Sequence, residues 1–349
     1  MSLRVGIVGL GRIGRGMLRA NYADLASGRF DIQVMCDVMS VDQVAYLLSH
    51  DSTYGNPPFS LDCDGNNLIV AGKTIHYQRV DRRRALPEED SFGHLRKYEL
   101  DVLFDATGTA TIEDLRSIIK HNVAKKVVCT TNISGCDLSM VYGVNDNQYD
   151  PDRHHVISAS TCTGNALVPL FSILEKHIGI DYARIITIHP ALSDQRVLDG
   201  YHATSHLGRS SAVSILPTKT NVAHSAALVL PALQGKLDSL SYRIPTAIVS
   251  VIDLTANLSR DTTREECVEL FEHHARTDMA GIIHCDYGAW GHEKASIDYL
   301  GLPYSAVLVM NHLSLSNGRH LGLSLMHDNE LAYCSRVIDV LGVLSRGVL

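Results

Sequence analysis

Ser160-Thr161-Cys162-Thr163-Gly164-Asn165 places a thiol between the end of a β-favouring run and the start of an apolar helical one. A cysteine there meets the positive end of a helix dipole, which favours thiolate over a neutral thiol of ordinary pKa about 8.5. His189 follows the β-branched run Arg184–Ile188 and precedes Pro190, a position that faces a cleft rather than the middle of a core. A thiolate and an imidazole form a nucleophilic pair: the sulfur adds to a carbonyl carbon and the imidazole moves the proton of the resulting hydroxyl. His202-x-x-x-His206 has the i,i+4 spacing of metal ligands, but no third ligand lies nearby, so no metal site is expected.

A second constellation is made for phosphate. Gly9-Leu10-Gly11-Arg12-Ile13-Gly14 follows an apolar β-run and opens a helical one. Gly9 permits a tight turn, Gly11 lets backbone approach a pyrophosphate, and Gly14 lets helix and strand pack closely. The helix N-terminus then offers free N–H groups to the phosphates. Asp37 ends the next strand; an acidic residue there accepts from ribose hydroxyls and repels a 2′-phosphate, so NAD is expected over NADP. Thr107-Gly108 stands after a third strand, where a further nucleotide-contacting loop is expected.

These residues need elements to hold them. Strands are predicted over Arg4–Val8, Ile32–Cys36, Leu100–Phe104, Lys126–Cys129 and Val156–Ser158, with helices over Gly11–Ala26 and Thr111–Asn122. Strands alternating with helices imply a parallel sheet with right-handed crossovers. Beyond a helix over Asn165–His177 the pattern changes to the long β-branched runs Arg184–Ile188, Arg243–Leu254 and Ser305–Val309, interrupted by a helix over Thr263–His274. That pattern suggests an α+β domain on a mainly antiparallel sheet. A helix over Asn329–Leu344 closes the chain. The fold expected is α/β: a Rossmann-type nucleotide domain of residues 1–161 and 329–349, plus a catalytic and oligomerisation domain of residues 162–328.

Composition narrows the functions. With 349 residues, 45% hydrophobic and 20% charged, the chain can bury two domain cores. A net charge of −7 argues against a nucleic-acid binder, and the one tight basic run, Arg82-Arg83-Arg84, is expected to be solvated. No apolar run approaches the ~20 residues of a membrane span. The start, Met1-Ser2-Leu3-Arg4, has no secretory pattern, and eight cysteines without a C-x-x-C pair fit free thiols in a reducing cytoplasm.

The motifs together resemble phosphorylating glyceraldehyde-3-phosphate dehydrogenases. Gly9–Arg15, Asp51–Gly55, Tyr142–Asn145, Ser160–Asn165, Thr187–His189, Asp194–Asp199, Tyr242–Thr246, Val251–Leu254 and Asp328-Asn329-Glu330 occur in that family's order and span nearly the whole chain. The resemblance implies that Cys162 is acylated and His189 is its acid/base partner. It implies phosphate contacts from Thr161, Thr220 and Arg243, with Thr163 and Asn221 beside them. Gly11, Arg12, Ile13 and Asp37 would hold NAD, Thr131 would lie in a cofactor loop, and Asn329 would bond the nicotinamide amide. A phosphorylated aldehyde and inorganic phosphate are the implied partners, and a homotetramer the implied assembly.

The sequence departs from that family at several places. Gly164 and Ala166 replace Thr and Cys, Leu331 replaces Trp, Cys36 replaces Asn, Asn221 replaces Gly, and Thr130-Thr131-Asn132 replaces Ser-Ala-Pro. Pro190-Ala191-Leu192-Ser193 lacks the two threonines that usually take the substrate phosphate. In this stretch and in Asp199–His202 the chain is similar to the erythrose-4-phosphate dehydrogenase branch, whose deacylation is hydrolytic. Other readings are a semialdehyde or acyl-phosphate reductase of like build, and a family member that has lost efficient catalysis and works as an NAD-binding regulator.

Overall fold

The computed structural model describes residues 3–23, 28–81 and 92–348; the Arg82–Arg84 run lies outside them. The chain divides into two compact units, Met1–Ser160 with Cys334–Leu349, and Thr161–Tyr333.

The first unit is built on a nine-stranded sheet ordered β3-β4-β5-β2-β1-β6-β7-β9-β8. Its strands are β1 (Arg4–Val8), β2 (Asp31–Asp37), β3 (Leu61–Cys63), β4 (Asn67–Val70), β5 (Lys73–Arg79), β6 (Leu100–Asp105), β7 (Ala124–Cys129), β8 (Leu138–Ser139) and β9 (Val156–Ser158). Every pairing is parallel except β3–β4 and β4–β5. The central strands are buried on both faces, β6 along its whole length, which is why they read as unbroken apolar runs. Helices α1 (Arg12–Tyr22), α2 (Val41–Ser49) and α3 (Ile112–Lys120) make the crossovers. Thr111 caps α3 by accepting from the Asp114 amide, and Asp114 bonds back to the Thr111 amide, so α3 starts where it does for a chemical reason.

The second unit carries a seven-stranded sheet. Its elements are α4 (Cys162–His177), β10 (Ile180–Pro190), β11 (Leu216–Thr218), α5 (Val222–Val229), β12 (Leu237–Ile244), β13 (Ser250–Leu258), α6 (Arg264–Arg276), β14 (Ile283–Asp286), β15 (Ala306–Ser316) and β16 (His320–His327). Four of its pairings are antiparallel and two, β10–β12 and β14–β15, are parallel. Alternating burial along β13 shows one face on a core and one turned outward.

Three sequence expectations shift. Helix α4 begins at Cys162, three residues before the expected Asn165, because Thr161 caps it from outside. The expected single run Arg243–Leu254 is two strands, broken after Ile244. Pro245 has no N–H to extend a ladder, and Val249 takes a left-handed φ of 66°. The closing helix α7 (Leu331–Val348) starts two residues late, after Asp328 and Asn329, and the second boundary between units falls inside it.

Candidate active site

In the first unit, the turn from β1 into α1 packs as its glycines require. Gly9 has a φ of 88°, and a Cβ on Gly14 would lie 2.0 Å from the Gly9 carbonyl oxygen. Gly11 is different: its backbone is ordinary, and a Cβ there would meet nothing within 4 Å. The protein leaves open space at that position, at the first amides of α1, which suits a pyrophosphate. Gly9, Gly11, Asp37 and Thr107 line one cavity of about 340 Å³, together with Val38, Met39 and Phe92. This cradle fits the adenosine end of NAD.

The Asp37 carboxylate also holds the turn. One oxygen accepts from the Leu10 amide at 2.5 Å and the other from the Met39 amide at 3.0 Å. Thr107 donates its hydroxyl to Asp105 at 2.6 Å. Six residues expected at the cofactor are not among those lining the cavity: Arg12, Ile13, Gly14, Gly108, Thr131 and Asn329. The Arg12 guanidinium pairs with Asp51 at 2.5 Å, the Ile13 carbonyl accepts from Cys334, and the Thr131 carbonyl accepts from Ser158 at 3.0 Å.

The thiol site belongs to the second unit. Thr161 accepts from the Gly164 amide at 3.0 Å, and its carbonyl accepts from the Asn165 amide at 2.8 Å, so Cys162 is the first residue inside the helix. Its Sγ lies 3.9 Å from His189 Nε2 and 3.8 Å from Thr163 Oγ1. His189 sits near the end of β10, 6% exposed, and the parallel register of β10 with β12 sets Arg243 opposite it. Arg243 Nη1 approaches His189 Nδ1 at 2.6 Å, and the Pro190 carbonyl lies 2.9 Å from the same nitrogen. Nδ1 can accept from the guanidinium or donate to the carbonyl, but it cannot do both.

Burial decides the resting charges. It pushes the Cys162 thiol up, against the Thr163 hydroxyl, the amides of Thr163 and Cys162, and the Arg243 cation. The expected stabilisation of thiolate at the helix start is therefore present but outweighed. Burial, helped by Arg243, lowers His189 to about 4, so the imidazole is neutral at pH 7. The resting pair is thiol and imidazole, with Nε2 turned to the sulfur.

Thr220 accepts from the Val222 amide at 3.3 Å, and Asn221 is the N-cap residue of α5, exposed. The Thr220 carbonyl also accepts from the Ser239 hydroxyl on β12 at 3.4 Å, which ties this helix start to the sheet. Asn329 is 5% exposed, and its Oδ1 has no hydrogen-bond partner among the described residues. A buried amide oxygen left in that state fits an acceptor for the carboxamide of a nicotinamide. Beside it, Asp328 accepts from the amides of Gly301, Glu330 and Leu331 and fixes the start of α7.

One residue escapes sequence reasoning. His327, at the end of β16, is fully buried; burial and the neighbouring His189 lower it to about 3. It is one of 18 histidines, and only its place directly before Asp328 could have marked it.

Comparison with known proteins gives the family of both units. Residues 3–113 match the family profile "Glyceraldehyde 3-phosphate dehydrogenase, NAD binding domain", and residues 161–329 match "Glyceraldehyde 3-phosphate dehydrogenase, C-terminal domain". The chain is 34% identical to a glyceraldehyde-3-phosphate dehydrogenase of Geobacillus stearothermophilus, over 100% of both chains. It is 33% identical to glyceraldehyde-3-phosphate dehydrogenase 1 of Bacillus subtilis (strain 168), over 99% of both. Identity to the enzyme of Kitasatospora aureofaciens is 32%, over 98% of this chain and 99% of that one.

Proposed function

The chain belongs to the glyceraldehyde-3-phosphate dehydrogenase family, and from that premise we propose that it oxidises a phosphorylated aldehyde with NAD through a thioester on Cys162. The observation that carries this reading is the thiol at a helix start, 3.9 Å from the Nε2 of a buried, neutral histidine.

Cys162 Sγ adds to the aldehyde carbon, and its proton passes to His189 Nε2. The imidazole returns that proton to the former carbonyl oxygen, giving a hemithioacetal. The backbone N–H of Cys162 lies at the helix start to stabilise the oxygen while it is charged. Bound NAD would supply the hydride acceptor; the turn at Gly9–Gly14 and Asp37 are the residues assigned to its adenosine end, and Asn329 the one assigned to its carboxamide. His189 takes up the hydroxyl proton as the carbon is oxidised to the thioester.

Arg243 has two roles in this scheme. Its planar guanidinium suits the oxygens of a substrate or attacking phosphate. An anion that draws Arg243 away from His189 Nδ1 leaves that nitrogen free to donate to the Pro190 carbonyl. Nε2 then carries the lone pair, which is the base form the sulfur needs. Thr161, Thr163, Thr220 and Asn221 complete the assignment of phosphate contacts, and Arg12, Ile13, Thr107, Gly108 and Thr131 that of cofactor contacts.

Glyceraldehyde 3-phosphate with phosphorolysis is the primary reading. Pro190-Ala191-Leu192-Ser193, without threonines at the base, favours erythrose 4-phosphate with hydrolysis as the second. Initial rates of NADH formation with each aldehyde phosphate, with and without inorganic phosphate, test both. The first reading requires a higher kcat/KM for the triose and dependence on phosphate. Turnover with neither aldehyde contradicts both.

A homotetramer is supported by Val197, Leu198, Tyr201, Val213 and Ile215, large apolar side chains 67–84% exposed within one segment. Sedimentation equilibrium tests it. A cytoplasmic setting is favoured by eight free cysteines, and no described helix is long and apolar enough to cross a membrane.

A further inference from the structure

Cys129 and Cys136 flank the short segment 130–135 in the first unit, and their sulfurs lie 3.9 Å apart. Cys129, the last residue of β7, is 1% exposed in an apolar cluster with Leu115, Ile118 and Val127. Cys136 packs against that cluster but is only partly covered. The two thiols are not equivalent. The Arg116 guanidinium is fixed on either side of Cys136, donating to the Gly135 carbonyl at 2.7 Å and to Asp137 at 2.9 Å. The contact with the Cys129 sulfur pulls the Cys136 thiol down, with Arg116 helping and burial and Asp137 opposing; the same contact and burial push Cys129 up. A part-exposed thiol drawn below its ordinary pKa beside a shielded partner thiol is the arrangement in which oxidation runs to a disulfide rather than to over-oxidation.

We propose that Cys136 and Cys129 are a site of reversible modification by hydrogen peroxide, Cys136 as the attacking sulfur and Cys129 as the resolving one. The Cys136 thiolate attacks the peroxide, breaking the O–O bond; it becomes a sulfenic acid and water leaves once the hydroxide is protonated. Cys129 then attacks the sulfenic sulfur, its proton joins the departing oxygen as a second water, and the disulfide forms. Two electrons pass from the sulfurs to one peroxide. The bond closes a ring around residues 130–135. It also removes the Cys129 S–H that contacts the Thr131 carbonyl at 3.2 Å, beside the Thr131 and Asn132 contacts to Ser158.

The test uses the full-length protein and its Cys162→Ser variant, so that the proposed nucleophile does not consume the oxidant. After hydrogen peroxide, the chain is denatured, alkylated and cut with trypsin. Residues 127–153 form one peptide containing these two cysteines and no others. The expected product is that peptide about 2 Da lighter and carrying no alkyl label, reverting to two labels after dithiothreitol. Cys129→Ala should leave Cys136 as a sulfenic acid trapped by dimedone, and Arg116→Ala should slow disulfide formation roughly two- to threefold. Melting temperatures of both variants show that they are folded. A peptide still carrying two labels, while other cysteines of the same sample are oxidised, overturns the proposal. So does a sulfenic acid found on Cys129 alone. Neither result bears on the reading of Cys162.

Discussion

The nucleotide turn of the first unit and the thiol site of the second solve the problem of placing chemistry in different ways. The turn is local: Gly9, Gly11 and Gly14 lie within six residues, joined by Asp37 one strand later. Its backbone is packed tightly at Gly14 and left open at Gly11. The thiol site is assembled from Cys162, His189, Arg243 and His327, brought together by the strand pairings β10–β12, β10–β13 and β13–β16. One site follows from a short peptide, the other from the register of a sheet. Failure of the turn should therefore begin with one atom, whereas failure of the thiol site should follow charge and alignment.

The largest effect expected is at the thiol. Cys162→Ser should lower kcat by about 10⁴-fold or more, because a hydroxyl beside a neutral imidazole is a far weaker nucleophile. NAD affinity, measured by fluorescence titration, should stay within about twofold of the parent value, which keeps the two sites separable. Equal loss of both would break the comparison.

Gly14→Ala comes next. A methyl group 2.0 Å from a backbone oxygen must displace β1 or α1, and the variant should lose about 3 kcal/mol in urea unfolding along with NAD affinity. Gly11→Ala is the contrasting case. It should unfold like the parent but bind NAD about tenfold more weakly, since the methyl meets only the space assigned to pyrophosphate. A destabilised Gly11→Ala, or one with unchanged NAD affinity, would remove that assignment.

A pH test sharpens the second region. His189 and His327 have folded values of about 4 and 3, below the ordinary 6.5, so the unfolded chain takes up protons that the folded one refuses. Their contribution is intact above pH 6.5 and is lost as the pH falls towards 4. Each group gives a slope of ~1.4 kcal/mol per pH unit in that window. His327→Asn should remove one such slope from the urea-unfolding free energy between pH 6 and 4 and leave the stability near pH 8 less affected. An unchanged slope would mean that His327 is not held neutral. The smallest change is expected for Asp37→Asn, which keeps an acceptor for the Leu10 amide: a several-fold gain in relative NADP affinity, read from KM for both coenzymes.

The contrast also explains what could be read from residues alone. The turn was legible because its constraints are steric and contiguous. Cys162 and His189 were legible through their neighbours in the chain. The His189–Arg243 contact was not, since it depends on a parallel pairing of two strands 54 residues apart. The extended run through Arg243–Leu254 hid the break at Pro245 that separates β12 from β13. His327 was hidden because polar residues at a strand end give no periodic signal, and its burial is a property of the sheet. Short elements such as β3–β5 and α2 carry too few apolar repeats to stand out from loops. The net direction of the Cys162 thiol was out of reach for a like reason: the helix start is visible in sequence, the burial that outweighs it is not.

The account rests on a covalent bond to one sulfur. Rapid-quench mass spectrometry, with glyceraldehyde 3-phosphate or erythrose 4-phosphate and NAD mixed without inorganic phosphate, reads it directly. The account predicts an acyl adduct on the peptide containing Cys162, formed in step with the first equivalent of NADH and absent without NAD. NADH formed with no adduct, or with the adduct on another cysteine, would contradict it.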